Sequence, residues 1–421
     1  MVSEPSGHAG ERPSRQTDTS GRAEARPSLA SAATTVYFVA GERSGDDHGA
    51  ALLKALRACV PEMRFMGRGG PKMRALVDGK FRDWIDDTAV VGLWEVIRRY
   101  PFFRKQFQAT ISEIEAVEPS AVVLIDYPGF NLRLAHALHA KFPELTIIYY
   151  ISPQVWAWNR RRVSQMARSI DLMLCIFPFE PELYKASGLR AIFVGHPMTS
   201  VIPDEVEGSR GETSKSTSAA ASPPRDDKLV GLFPGSRERE VKKIFPVMRQ
   251  AALELSQQDH DLRFVVSAAS EPLAELIRAN LCKHATGKFS IVTGDARAVM
   301  GRVNVGMVAS GTATLEAALS ELPFVLIYRV AWLTYLAARL VVKVKYLGMP
   351  NVLADREIVP EFIQHKAQPR AIAAAVARLL TNKTERERML TDFACVTQKL
   401  GRGEASVNAA EAIATELRYA E

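Results

Sequence analysis

The four cysteines of this 421-residue chain (Cys59, Cys175, Cys282 and Cys395) stand far apart, and no CxxC pair occurs. That spacing argues against a zinc ribbon or a disulfide framework and fits a reducing cytosol. No window of 18 residues is free of charge, and the nearest approach, 324–342, contains Arg329 and Arg339. A membrane-spanning helix is therefore not expected, while binding to a membrane surface stays open. The eight histidines are scattered, and HExxH, EF-hand and zinc-deaminase spacings are missing, so no metal site is expected. A Walker loop, a dinucleotide fingerprint and a GxSxG elbow are also missing.

What is present is ordinary globular composition, with 47% hydrophobic and 24% charged residues, enough for two or three domains. The net charge of +7 favours anionic partners: nucleotide phosphates, lipid head groups or nucleic acid. Residues 1–33 are rich in Ser, Gly, Pro and Arg with no apolar period, and read as a disordered tail. They lack the apolar core of a secretory signal, and their four acids argue against a transit peptide. A second low-complexity stretch, 205–228, reads as a flexible linker or surface loop. The expected division is thus a first domain over 34–204, a second over 229–375, and C-terminal helices over 376–421.

Both halves alternate short apolar runs with helical stretches. Strands are expected at 34–40, 121–126, 146–151, 172–176 and 191–194, and again at 229–233, 263–267, 289–292, 304–308 and 324–328. This rhythm predicts an α/β protein of two doubly wound, Rossmann-like parallel sheets. Such domains bind ligand at the carboxyl ends of their strands.

The unusual residues do follow strands. Gly41-Glu-Arg-Ser44-Gly45-Asp46 is an anion-ready turn, or a plain βα turn with Asp46 as N-cap. Gly67-Arg-Gly-Gly-Pro71 reads as a second Gly-rich turn. Asp126 closes an apolar strand before Tyr127-Pro-Gly, with a helix expected from near Asn131; it is a general base or a loop brace. Ser152, Gln154 and Trp156 precede Trp158, Asn159 and the basic run 160–162. They form an aromatic floor beside an anion site, a surface for single-stranded nucleic acid, or a core Trp pair beside a basic turn. Gly235, Ser236 and Arg237 offer a close backbone approach and a guanidinium to a phosphate, with a plain turn as the alternative. Ser310, Gly311 and Thr312 open a further helix, and Glu316 suits two ribose hydroxyls or caps the helix. The stretch 90–105 carries Val90, Val91, Leu93, Trp94, Ile97, Arg98, Arg99, Phe102 and Phe103. It reads as a packing face or as a membrane-interface and acyl-chain surface, and 331–346 has similar character.

In this order, AGERSGD, GRGGPKM, VVGLWEV, IDYPGFN, ISPQVWAWN, FPFE, VGHPM, PGSREREV, SGTATLEAAL and MPNVLA resemble the lipid-A-disaccharide synthase family over about 36–375. The resemblance implies a GT-B glycosyltransferase whose two Rossmann-like domains face a cleft. It implies transfer of 2,3-diacylglucosamine from UDP to 2,3-diacylglucosamine 1-phosphate, at the cytosolic face of the inner membrane, with inversion and without cofactor, metal or nucleic acid. Asp126 is carried over as the base. Gly235, Ser236, Arg237, Ser310, Gly311, Thr312, Glu316 and Asn351 are carried to UDP, and Ser44, Gly45, Asp46, Asn131, Ser152, Gln154 and Trp156 to the acceptor side of the cleft. Arg43 stands where the family's first glycine loop usually has a small residue. A homodimer is left open. The rival readings are another UDP-sugar GT-B enzyme, of the murein-glycosyltransferase or 2-epimerase kind, and a non-catalytic lipid-binding protein at the membrane surface.

Overall fold

Seven strands, β1 (Thr35–Ala40), β2 (Arg64–Gly69), β3 (Phe81–Asp83), β4 (Ala121–Ile125), β5 (Thr146–Tyr150), β6 (Leu172–Cys175) and β7 (Arg190–Phe193), build one parallel sheet. Its order is β3-β2-β1-β4-β5-β6-β7. A second parallel sheet holds β8 (Asp226–Phe233), β9 (Arg263–Ala268), β10 (Phe289–Thr293), β11 (Val303–Ala309), β12 (Phe324–Tyr328) and β13 (Glu361–Ile363), in the order β10-β9-β8-β11-β12-β13. The computed structural model describes residues 34–85, 100–158, 162–201, 226–281, 287–332, 335, 344–401 and 403–420. Outside the described residues lie the tail, most of the 205–228 stretch, Val90, Val91, Leu93, Trp94, Ile97, Arg98, Arg99, the 159–161 run and most of 331–346.

The strands form where the sequence is apolar on both faces, because helices cover a parallel sheet on both sides. All five residues of β4, AVVLI, are buried. The covering helices are amphipathic. In helix Arg43–Cys59, Leu52, Leu53 and Leu56 fall on one stripe and are fully buried. Burying each contributes about 1.5–3 kcal/mol. Helix Glu238–Gln258 does the same with Val241, Ile244, Phe245, Met248 and Leu255. Among the described residues, no helix is long and apolar enough to cross a membrane.

Three strands, β2, β3 and β13, lie outside the expected set. The run from Gly67 is not a turn at its start: Gly67, Arg68 and Gly69 pair with β1 and β3, and the turn begins at Gly70. Arg68 is fully buried there. Its Nε donates to Glu113 Oε2 at 2.7 Å and its Nη1 to Gln106 Oε1 at 2.8 Å, while the Tyr37 hydroxyl donates to Glu113 Oε2 at 2.7 Å. This cluster ties helix Tyr100–Val117 to the sheet.

Beyond β13, helices Pro369–Thr381 and Lys383–Lys399 pack on the second sheet's side, and helix Ala405–Ala420 packs on helix Arg43–Cys59 of the first. Asn408 Nδ2 donates to the Val194 carbonyl at 3.0 Å, and Arg190 pairs with Glu416.

Replacing Glu113 with Ala strands the buried Arg68 guanidinium. Because Glu113 is itself part-exposed, we expect a loss near the lower end for broken buried pairs, about 2–3 kcal/mol. Urea denaturation checks it, and an unchanged midpoint would contradict the clamp.

Candidate active site

In each sheet the strand order reverses at one place, between β1 and β4 in the first and between β8 and β11 in the second. Connections leave in opposite directions there, so the carboxyl ends of the two strands are where a doubly wound sheet is expected to hold a ligand. Register places the residues. Ala40 pairs with Ile125, so Gly41 and Asp126 emerge side by side. Val308 pairs with Phe233, so the turns carrying Gly235–Arg237 and Ser310–Thr312 emerge side by side. The base candidate and the phosphate-binding candidates therefore each stand at a switch point.

Backbone strain marks the same edge. Asp126 (φ 46°) and Tyr127 (φ 50°) are consecutive left-handed residues without being glycine, and Ile151 (φ 70°), at the end of β5, is a third. Such conformations cost on the order of 1–3 kcal/mol each and gather at functional sites. Asp126 is half-buried, and burial, reinforced by the nearby Glu42 carboxylate, pushes its carboxyl up to about 6. It is thus ionised near neutrality yet basic enough to accept a proton. Tyr127 starts helix Pro128–Lys141, three residues earlier than expected, with Pro128 at its first turn.

The remaining first-sheet candidates separate into two groups. Ser44 and Gln154 are exposed. Asp46, Asn131, Ser152 and Trp156 are buried and engaged by the chain itself. Asp46 is not the N-cap of its own helix, which Glu42 starts. Its carboxylate accepts from the backbone N–H groups of Gly70, Lys72 and Met73 at 3.0 Å each, and so caps the next helix. Gly45 is buried beside Ala40. Asn131 Nδ2 donates to the Ile125 and Asp126 carbonyls at 3.1 and 2.8 Å. Its Oδ1 is buried with no hydrogen-bond partner among the described residues. Ser152 Oγ lies 2.7 Å from the Tyr184 hydroxyl. Trp156 Nε1 donates to Glu180 Oε1 at 3.2 Å.

Glu180 carries more of this edge than its place in FPFE reveals. It is fully buried, and its Oε2 accepts from the backbone N–H groups of Ile176 and Phe177 at 3.2 and 3.1 Å. Burial pushes its carboxyl up to about 7 against these donors. His196, in VGHPM, is buried, and burial lowers its ring to about 4, with His48 adding to the effect. It is neutral, and its Nδ1 accepts from the Met198 N–H at 3.2 Å.

In the second sheet the strand-end turns use glycine. Gly235 has φ 107°, Gly294 108° and Gly311 146°. At Gly235 the positive φ is what calls for glycine, since the Glu240 Oε2 that a Cβ would meet at 2.6 Å is the end of a flexible side chain. Ser236, Arg237, Gly311 and Thr312 are exposed, and Ser310 is half-buried. Arg237 is the N-cap of the 21-residue helix Glu238–Gln258, and among the described residues its guanidinium makes only a long 3.4 Å contact with Glu240. Exposed N–H groups at a helix start beside a guanidinium suit a phosphate. Glu316 is half-buried, and burial raises its carboxyl, helped by Asp295 and opposed by Arg297.

Asn351 is placed differently from the expectation of a nucleoside contact. It is fully buried. Its Nδ2 donates to the Val359 carbonyl and Glu361 Oε1 at 2.8 and 2.9 Å, and its Oδ1 accepts from the Ile358 and Val359 N–H groups at 2.8 and 2.9 Å. Every polar position of the amide is spent on the loop. Glu361, which the sequence did not single out, also accepts from the Leu347 and Gly348 N–H groups. Of the lipid-surface candidates, Phe102 and Phe103 are half-buried in mutual edge contact at 5.6 Å, next to the exposed Tyr100. Among the described residues, no three His, Cys, Asp or Glu side chains form a metal-ligand group.

Glu180→Gln would turn an amide donor toward N–H groups that already donate. We expect a loss of about 1–3 kcal/mol, read as a lower urea midpoint. An unchanged midpoint would show that this carboxyl does not hold the β5 and β6 loops.

The family described as Lipid-A-disaccharide synthetase matches residues 36–416. Lipid-A-disaccharide synthase 1 of Legionella pneumophila (strain Lens) is 35% identical over 385 residues, 91% of this chain and 98% of that protein. Lipid-A-disaccharide synthase of Geobacter sulfurreducens is 37% identical over 378 residues, 87% and 93% of the two chains. Among solved structures, a putative UDP-N-acetylglucosamine 2-epimerase from Listeria monocytogenes superposes with a TM-score of 0.62 at 12% identity, covering 92% of this chain and 98% of the other. The calicheamicin glycosyltransferase CalG4 gives 0.53 at 14%, covering 91% and 98%. At such identities these two likenesses speak for the fold alone. Together with the extent of the family match, the two parallel sheets place this chain in the lipid-A-disaccharide synthetase family, as a glycosyltransferase of GT-B architecture.

Proposed function

We propose that this chain joins two lipid-bearing glucosamine units by a single inverting displacement. The donor is UDP-2,3-diacylglucosamine and the acceptor is the 6-hydroxyl of 2,3-diacylglucosamine 1-phosphate. The products are lipid A disaccharide 1-phosphate and UDP. The observation that carries this reading is the carboxylate at one switch point and the exposed glycine turn with Arg237 at the other. The domains we assign are 34–204 and a second that begins with β8 at Asp226, inside the expected 205–228 linker, and runs through helix Pro369–Thr381 rather than stopping at 375, and we place both carboxyl edges on one cleft.

In this reading Asp126 takes the proton of the acceptor hydroxyl as its oxygen attacks the donor's anomeric carbon. The bond from that carbon to the UDP oxygen breaks on the opposite side, so an α-linked donor gives a β-linked product. The departing diphosphate gains negative charge. The N–H groups that open helix Glu238–Gln258, with Ser236, Arg237 and the Gly311–Thr312 turn, receive it. Glu316 is assigned to the ribose hydroxyls. Asn351 is assigned to holding the loop beside them, since its amide has no free position. Ser44 and Gln154 are the exposed groups available to the acceptor, and Asp46, Asn131, Ser152 and Trp156 shape the walls. The lipid and membrane surface is assigned to 90–103, at the cytosolic face of the inner membrane.

The test is UDP release from a mixture of the two glucosamine lipids, with the product identified by mass spectrometry. Asp126→Asn should lower turnover by about 10²–10⁴-fold. Near-normal turnover in that variant would remove Asp126 from the base role. A wild-type protein that binds the lipids and releases no UDP would contradict the enzyme assignment.

A further inference from the structure

The carbonyl of Asp126 receives an unusual amount of attention from the surrounding fold. Two side-chain donors converge on it: Asn131 Nδ2 at 2.8 Å and the Tyr149 hydroxyl at 2.6 Å. Both residues are fully buried. The buried Tyr149 hydroxyl is held neutral, because burial raises it well above its ordinary range and the Asp126 charge adds to that. A neutral hydroxyl keeps its proton and donates it to the carbonyl. Asn131 also donates to the Ile125 carbonyl, so its amide spans the last residue of β4 and the first of the turn.

A third contact comes from the neighbouring strand. The Tyr127 ring lies directly on Gly41, where a Cβ would stand 2.2–2.6 Å from three ring carbons. Trp84 and Phe130 pack the ring's other sides, with centroids at 6.5 and 6.1 Å. Trp84 is itself fixed by its Nε1 donating to the Ala40 carbonyl at 2.7 Å. The left-handed pair Asp126–Tyr127 is thus over-determined: two donors hold one carbonyl, and a glycine without a side chain seats the next ring.

We propose that Tyr149, with Asn131 and Gly41, is a positioning residue for the base. By holding the Asp126 carbonyl it keeps the left-handed turn that aims the carboxylate out of the strand end while leaving it half-buried. This rests on the reading of Asp126 as the base. Misplacing a reacting group by about 1 Å costs on the order of 10²-fold in rate, so loss of one of the two donors should act on turnover rather than on substrate binding.

The experiment compares Tyr149→Phe, Gly41→Ala and Asp126→Asn with the wild-type enzyme in the UDP-release assay across pH. Tyr149→Phe keeps the ring and removes only the hydroxyl. Its kcat should fall by about 10-fold or more with both KM values within about twofold. Its acidic limb should move to lower pH, because a carboxylate released from its half-buried position gains water and its pKa falls. Gly41→Ala should do the same by displacing Tyr127, and it decides the matter if Tyr149→Phe does not fold. Wild-type kcat and an unmoved limb in these variants would overturn the proposal. So would a loss of activity that follows loss of folded protein by circular dichroism while the limb stays in place. Asp126→Asn keeps the two readings apart. If it is inactive while Tyr149→Phe behaves as wild type, only the clamp fails; if it is active, the base reading fails and the clamp with it.

Discussion

Reversal of strand order at the β1–β4 and β8–β11 pairs is the constraint on which the rest of this structure depends. In a parallel sheet every crossover needs a helix on one face, and the chain cannot cover the ends of the two strands from which it departs in opposite directions. Those ends are left uncovered by the crossover helices whatever the sequence of the loops. Register then determines which residues line them, namely Gly41 with Asp126 in one sheet and the Gly235 and Gly311 turns in the other. The second sheet's helix starts present exposed residues, Ser236, Arg237, Gly311 and Thr312, and the strands supply a low-dielectric floor. That floor raises a carboxyl at the first edge.

The two edges meet the same geometric demand in different ways. Each must turn the chain sharply out of a strand into a helix. The second sheet uses glycine after β8, β10 and β11, at Gly235, Gly294 and Gly311, which is inexpensive, although Gln364 after β13 is left-handed without being glycine. The first sheet uses Asp126, Tyr127 and Ile151, which is strained, and surrounds them with buried donors and rings. At the two switch points themselves the difference holds: Asp126 and Tyr127 carry side chains after β4, and Gly235 and Gly311 do not after β8 and β11.

The strands that the sequence disclosed are the apolar, β-branched ones, such as AVVLI at β4 and FVLIY at β12, buried on most of their length. Those it concealed break that pattern. RFMGRG at β2 contains two glycines and a buried arginine, and EFI at β13 is a three-residue edge strand. Site positions were legible because they follow strands, and parallel sheets place ligands there. Their individual jobs were less so. A polar residue in a motif looks the same whether it faces a ligand or a backbone amide distant in sequence. Asp46 caps a helix from 24 residues away. Asn131 spends its amide donor on carbonyls of its own fold, and Asn351 spends its amide on a carbonyl, a carboxylate and two backbone N–H groups. Tyr149 and Glu180 gave no signal in advance, since a Tyr in an apolar strand and a Glu at a helix start are commonplace. Their significance comes only from what they touch.

The half-buried carboxylate at the end of β4 is the central claim, and the pH dependence of kcat/KM tests it most directly. This quantity reports on groups of the free enzyme. Since burial pushes Asp126 up to about 6 and the base must be ionised, the rate should be level at neutral pH and fall on acidification through about pH 6. A profile that stays level down to about pH 4.5 with the protein still folded, or one that breaks near the ordinary carboxylate value of about 4, would contradict it.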